Sequence, residues 1–209
     1  MSEKKRKPDR RAAVTRTVIK DAMIALVKRD GFSKVTVASL CREAGVGRAT
    51  FYIHYAGLMD VIDELVDDAI GAVRHGGTSA YENTVRLADL VRPMEDAREL
   101  EAYLDLLPIC QRVADDPRYR PLFRDDHIAE YIILRIFRQE GERVVPEIMA
   151  DMGLTRLEAE NLFLFGVMGA FAVNRSLHWT KDDNWYRVQR LLLTYAHGGY
   201  EAVKKLKRG

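Results

Sequence analysis

Cysteine is nearly absent from this 209-residue chain. Cys41 and Cys110 lie far apart with no paired spacing, which excludes a disulfide framework and a thiolate zinc site and fits reduced thiols serving as buried packing residues. The first thirty residues hold no apolar signal-peptide core, and no segment reaches about 18 unbroken apolar residues, so the expectation is a soluble cytoplasmic protein. Strand-like alternation, internal repeats and low-complexity tracts are missing as well. So are a phosphate-binding loop, a nucleophile with an adjacent base and a cluster of metal-ligating side chains, which argues against an enzyme and for no cofactor. His127 has Asp125 and Asp126 beside it, but adjacent positions do not share a helix face, and a solvated acidic helix start explains them better than a metal site.

The charge that is present is unevenly placed. Residues 1–56 carry 13 Lys and Arg against 5 Asp and Glu, a net of +8, whereas the remainder carries 20 against 26, a net of −6, giving the overall +2. Such asymmetry points to a polyanion-binding end and a differently employed remainder, although a merely solvated basic tail would also explain the first residues. The length allows one large domain, or a small one attached to a larger one. The division read here is a basic tail at 1–9, a small basic domain at 10–56 and a larger acidic domain at 57–209.

Val14, Val18, Ala22 and Leu26 recur at four-residue spacing, with Ile19 and Met23 alongside, as an amphipathic helix requires. Gly31 can end it, and Phe32 and Val35 can pack back on the same core. Thr36 reads as an N-cap for a short helix with Val37, Leu40, Cys41 and Ala44 facing inward. Gly45 then turns the chain, and a second short helix runs from about Arg48 to His54 with Phe51 and Tyr55 on its core side. A longer helix follows over 57–74, with Val61, Leu65, Ala69 and Val73 as its stripe, and the run from His75 to Ser79 is a joint between elements. Beyond it the pattern predicts helices near 84–92, 97–115, 125–150 with a weak point at Gly141, 155–178 and 184–206. The chain is expected to be all-α.

Two short helices joined by a glycine turn and backed by a longer one form a helix-turn-helix, whose second helix fits the major groove. The residues it would present suit that task. Arg48 can hydrogen-bond both guanine acceptors, the Thr50 hydroxyl can serve a phosphate or a base, and Tyr52 and His54 can donate to phosphates. Small Ala49 and apolar Ile53 allow close approach, with Ile53 suited to a thymine methyl. Lys4, Lys5, Arg6 and Lys7 can reach phosphates or a minor groove.

From Arg11 to Leu65, centred on VTVASLCREAGVGRATFYIHY, the sequence resembles the DNA-binding domain of TetR-family transcriptional regulators. The resemblance implies that Thr36 and Tyr52 touch phosphates, that Arg48, Ala49, Thr50 and Ile53 face bases and that His54 faces the backbone. It also implies a homodimer on a palindromic operator, an all-helical C-terminal domain and usually a small-molecule inducer. The sequence departs from the pattern at Gly57-Leu58, where a capping polar residue and a Lys are usual, and at Gly47, where Ser is frequent. The basic tail can replace the phosphate contacts these changes remove.

In the C-terminal part, the apolar run from Leu162 to Val173 is too short to span a membrane, and a helix apolar on all sides must be covered on all sides. Gly166, Gly169 and Ala170 permit a close helix approach, and Val188, Leu192, Tyr195 and Gly199 form a stripe on the last helix. Together they suggest a four-helix dimer interface, with an intrachain bundle as the alternative. Tyr103, Leu107, Cys110, His127, Tyr131, Phe163 and Val167 are candidates for a small-molecule site with apolar walls and polar tips. The functional reading is a repressor released by a small-molecule ligand. Its alternative is a ligand-independent DNA-binding regulator or adaptor whose C-terminal domain recruits a protein.

Overall fold

A computed structural model describes residues 10–74 and 79–208. Helix α1, Arg10–Asp30, ends where Gly31 takes φ +80° and its N–H donates to the Val27 carbonyl at 3.0 Å. A 3₁₀ turn, Phe32–Lys34, leads into α2, Val37–Ala44, then α3, Arg48–His54, and α4, Leu58–Val73. The rest consists of α5 (Ala80–Val91), a 3₁₀ stretch (Ala97–Leu106), α6 (Ile109–Asp115), α7 (Arg120–Arg124), α8 (Ala129–Met152), α9 (Arg156–Ser176) and α10 (Asp183–Arg208). There is no strand among the described residues, so the fold is all-α.

One apolar core joins the N-terminal helices to the C-terminal half. Ile19, Met23 and Leu26 of α1, Leu40 of α2, Phe51 of α3 and Val61, Ile62 and Leu65 of α4 belong to the same buried cluster as Val113, Phe123, Ile132 and Ile133. Polar bonds brace the same junction. The Tyr131 hydroxyl on α8 donates to Asp63 Oδ1 of α4 at 2.6 Å, and Arg135 pairs with Asp63 at 3.2 Å and with Asp67 at 3.0 Å. At the other end of the domain, the Phe32 N–H donates to Asp125 Oδ2 at 2.7 Å, and Arg118 reaches Asp21 at 2.6 Å. A second cluster joins α5, the 3₁₀ stretch and α10 around Leu87, Leu100, Leu107 and Trp185, and a third joins α8 to α9 around Val144, Ile148 and Ala159.

The structure corrects four sequence expectations. Val14 and Val18 are exposed, at 57% and 37%, because the first turns of α1 extend beyond the core, whose contact stripe begins at Ile19 and continues through Val27. The helix expected over 97–115 is broken in two. Tyr103 leaves helical geometry at φ −127°, ψ 21°, and Pro108, which has no N–H for an intrahelical bond, becomes the N-cap of α6. Gly141 interrupts nothing, since the buried stripe Ile133, Ile136, Glu140, Val144, Ile148 passes through it and keeps α8 continuous even across Pro146. Asp125 is not solvated: its carboxylate is 7% exposed and accepts from the backbone of Phe32, His127 and Ile128.

Because the α1–α4 and α6–α8 side chains share one core, the protein is expected to unfold in a single calorimetric transition rather than in two, read at fixed protein concentration. Leu65→Ala, at a position with 0% exposure, should lower stability by about 2–5 kcal/mol without splitting the transition. Separate melting of an N-terminal unit would show that the shared core does not couple the two halves.

Candidate functional site

The α2–α3 unit is set by its termini. Thr36 caps α2: its Oγ1 accepts the Ser39 N–H at 3.0 Å, while Ser39 Oγ accepts the Thr36 N–H at 2.9 Å. Gly45 ends the helix in the left-handed region at φ 65°, ψ 30°, where a side chain would be strained, and this turn aims α3 away from α2. Gly47 caps α3 with no side-chain bond, so α3 begins with exposed N–H groups. At α4 the missing capping side chain of Gly57 is replaced from within the helix: Asp60 Oδ2 accepts from the N–H of Ala56 at 2.6 Å and of Gly57 at 3.0 Å. An Asp three residues after the cap was a readable signal for this.

Helix α3 has two sharply different faces. Phe51 is 0% and Tyr55 4% exposed, with ring centroids 5.8 Å apart, and they hold the helix on α1, α2 and α4. Ile53 is 77% and Tyr52 58% exposed, Arg48 and Ala49 are exposed, and Thr50 and His54 lie at the edge of the outward face. Arg48 makes no hydrogen bond or ion pair to another described residue. Thr36 is exposed at the start of α2. Lys4, Lys5, Arg6 and Lys7 lie outside the described residues.

Behind the anchor sits a charged bracket. The Tyr55 hydroxyl donates to Glu64 Oε2 at 2.9 Å, Arg16 and Lys20 each reach Glu64 at 2.9 Å, and Lys20 also reaches Asp68 at 2.5 Å. Burial alone would raise the Glu64 carboxyl, but hydrogen bonds from Lys20 and Tyr55 outweigh it and hold that carboxyl below its usual range. Burial and the Glu64 hydrogen bond both push the Tyr55 phenol up, so it stays protonated and donating.

The second feature is a cavity of about 260 Å³ in the C-terminal half, walled by α5, α6, α8, α9 and α10. Of the sequence candidates, Cys110, Phe163 and Val167 line it. The other four lie elsewhere. Tyr103 and Leu107 pack in the α5–α10 cluster, His127 is exposed beside α7, and Tyr131 is committed to Asp63. Sequence reasoning missed Gln111, Glu140 and Gln189, which are buried in the lining, and the rings Tyr81, Phe137 and Tyr200. The readable signal was a polar residue on an otherwise apolar stripe, as with Glu140 between Ile136 and Val144. The exposed lining residues are Phe165, Gly166, Gly169 and Tyr195, so the cavity opens on the outer face of α9 and α10. That face also carries exposed Leu191 and Leu206, together with Gly199, while Leu157 is exposed in the first turn of α9. Ala170, Val188 and Leu192 are half-buried beneath it.

Among the described residues, no group of three or more His, Cys, Asp or Glu could hold a metal, and no helix is long and apolar enough to cross a membrane. A two-faced seven-residue helix delivered by a capped helix and a left-handed glycine is the geometry of a helix-turn-helix. Residues 19–65 match the family of bacterial regulatory proteins, tetR family. This match, confined to the N-terminal part of the chain, supports a DNA-binding transcriptional regulator of the TetR type. No curated protein and no solved structure matches the chain.

Since the Glu64 pKa is lowered on folding, the stability it contributes is complete above its ordinary value of 4.5 and is lost as pH falls through the lowered one. Glu64→Gln should accordingly cost about 1–3 kcal/mol at neutral pH in urea unfolding, with the gap to the parent protein closing in acid. A gap that is unchanged below pH 4.5 would remove the charge from the account.

Proposed function

We propose that the protein is a homodimeric repressor that reads a palindromic operator with α3 and is released by a small molecule held in the C-terminal cavity. The observation that carries the DNA half is the sidedness of α3, with Ile53 at 77% exposure two positions from fully buried Phe51. On the outward face, Arg48 reads guanine, Ala49, Thr50 and Ile53 lie against base edges, and Thr36, Tyr52 and His54 fix the backbone. The tail residues Lys4, Lys5, Arg6 and Lys7 add affinity without sequence choice by neutralising phosphates. The domain division at residue 57 is functional in this reading: the DNA-contacting groups precede it and the dimer and ligand groups follow.

Dimerisation is supported by the exposed apolar stripe on α9 and α10, where Phe165, Leu191, Tyr195 and Leu206 are each at least 67% exposed. Glycines 166, 169 and 199 between them let a second copy approach closely, and docking there would cover the mouth of the cavity. Release is supported by the Arg74–Glu140 ion pair, because Glu140 lines the cavity and Arg74 caps the C-terminus of α4. A ligand that changes the cavity wall thus bears on the helix that holds α3. An adaptor without a ligand would present the apolar face but needs no cavity beneath it.

Selection of bound DNA from a random pool should return a palindrome. On that operator Arg48→Ala should lose about 1–3 kcal/mol while random-DNA affinity changes much less, whereas His54→Ala should lower both together. Equal losses for Arg48→Ala on both DNAs would make it a phosphate clamp. Gly169→Glu should dissociate the dimer, and a monomer for the parent protein at micromolar concentration in sedimentation would sink the assembly.

A further inference from the structure

The polar end of the cavity has a fixed hydrogen-bonding sense. It is set by Trp185, whose indole can only donate. Trp185 Nε1–H donates to Asn174 Oδ1 at 2.8 Å, and Asn174 Nδ2 donates to the Ala170 carbonyl at 2.8 Å, so the orientation of this amide is determined from both sides. Asn174 Oδ1 also accepts from Gln189 Nε2 at 3.4 Å, which turns Gln189 Oε1 toward Gln111 Nε2 at 3.5 Å. Three amides in series therefore share one direction, and reversing any of them would set donor against donor or acceptor against acceptor. The series ends at Gln111 Oε1, a buried acceptor that receives no hydrogen bond, on a side chain that lines the cavity.

We propose that the cavity takes a neutral ring compound with one hydrogen-bond donor, its apolar body against Ile136, Phe137, Phe163 and Leu193 and its donor on Gln111 Oε1. This rests on the reading of the cavity as a ligand site. The donor is required because a buried acceptor left without one is costly, and of the three amide oxygens in the series Gln111 Oε1 alone is left open. The ligand is neutral because Glu140, the carboxylate on the same wall, is already matched by Arg74. An anion would meet Glu140 and the Gln111 oxygen, whereas a cation would find its carboxylate already occupied. The size follows from the volume: a cavity of about 150 Å³ holds one benzene ring, so 260 Å³ suits two fused rings with a small substituent.

The test titrates the full-length protein calorimetrically with four probes of one shape: 1-naphthol, 1-methylnaphthalene, 1-naphthoate and 1-naphthylmethylamine. 1-Naphthol is expected to bind about tenfold more tightly than 1-methylnaphthalene, the worth of one hydrogen bond, and more tightly than either charged probe. Gln111→Met, similar in size but without the oxygen, should bring 1-naphthol to within about twofold of 1-methylnaphthalene and leave the latter unchanged. Asn174→Leu should erode the same preference with Gln111 still present, because Gln189 and Gln111 then lose the acceptor that orients them and can reverse; a purely space-filling Asn174 would weaken all four probes alike. Equal binding of 1-naphthol and 1-methylnaphthalene, or a preference for either charged probe, overturns the proposal. If no probe binds, the cavity is not a ligand site, and the proposal falls with that reading. If 1-naphthol binds selectively but leaves operator affinity unchanged, the ligand chemistry stands and the release mechanism fails.

Discussion

A seven-residue helix has too few backbone hydrogen bonds to hold itself together in water, and α3 is such a helix. Its stability must come from outside, through Phe51, which is buried completely among α1, α2 and α4. Nearly everything around it serves that dependence. The Thr36–Ser39 box fixes the start of α2, the left-handed Gly45 sets the angle between the helices, and Tyr55 ties the far end of α3 to Glu64. The outward face is then free to carry side chains chosen for DNA, because none of them is needed to keep the helix folded.

The same dependence explains why the junction with the C-terminal half is so heavily braced. Helix α4 is both the floor under α3 and a wall of the continuous core, so a displacement of α4 moves the reading helix with it. Asp63 and Asp67 fasten its middle to Tyr131 and Arg135, while Arg74 fastens its end to Glu140 at the cavity. Most of these bonds are between partly exposed groups and are individually worth little in stability. Their consequence is geometric: they limit the ways in which α4 can shift against the C-terminal helices.

Local rules made the first third of the chain legible. Caps, a glycine turn and four-residue spacing are all short-range signals, and the limits of α2 and α3 follow from them at Val37–Ala44 and Arg48–His54. The face of α1 was misjudged at Val14 and Val18 because periodicity reports which residues align, not where the partner surface ends. The cavity was hardest to read. Its lining gathers residues from five helices, and pairs such as Gln111 and Gln189 are separated by 78 positions in sequence. Helical spacing placed Cys110, Phe163 and Val167 there but assigned Tyr131 to it as well, since nothing local distinguishes a tyrosine facing a cavity from one bonded to α4.

Helix α9 shows how one apolar run can serve several surfaces. Its residues are apolar on nearly every side, yet within the chain only Ala159, Phe171 and Asn174 are fully buried. Phe163 and Val167 turn to the cavity, Phe171 packs on Trp179, and Phe165 is 68% exposed. An intrachain bundle would leave that last ring in water without return. The proposed covering by a second copy would account for it and for the glycines at 166 and 169, which add nothing to helix stability but let another helix come near. The mouth of the cavity lies between those glycines and Tyr195. In the proposed dimer, subunit contact and ligand access would therefore be set by the same side chains, and selection on either one would constrain the other.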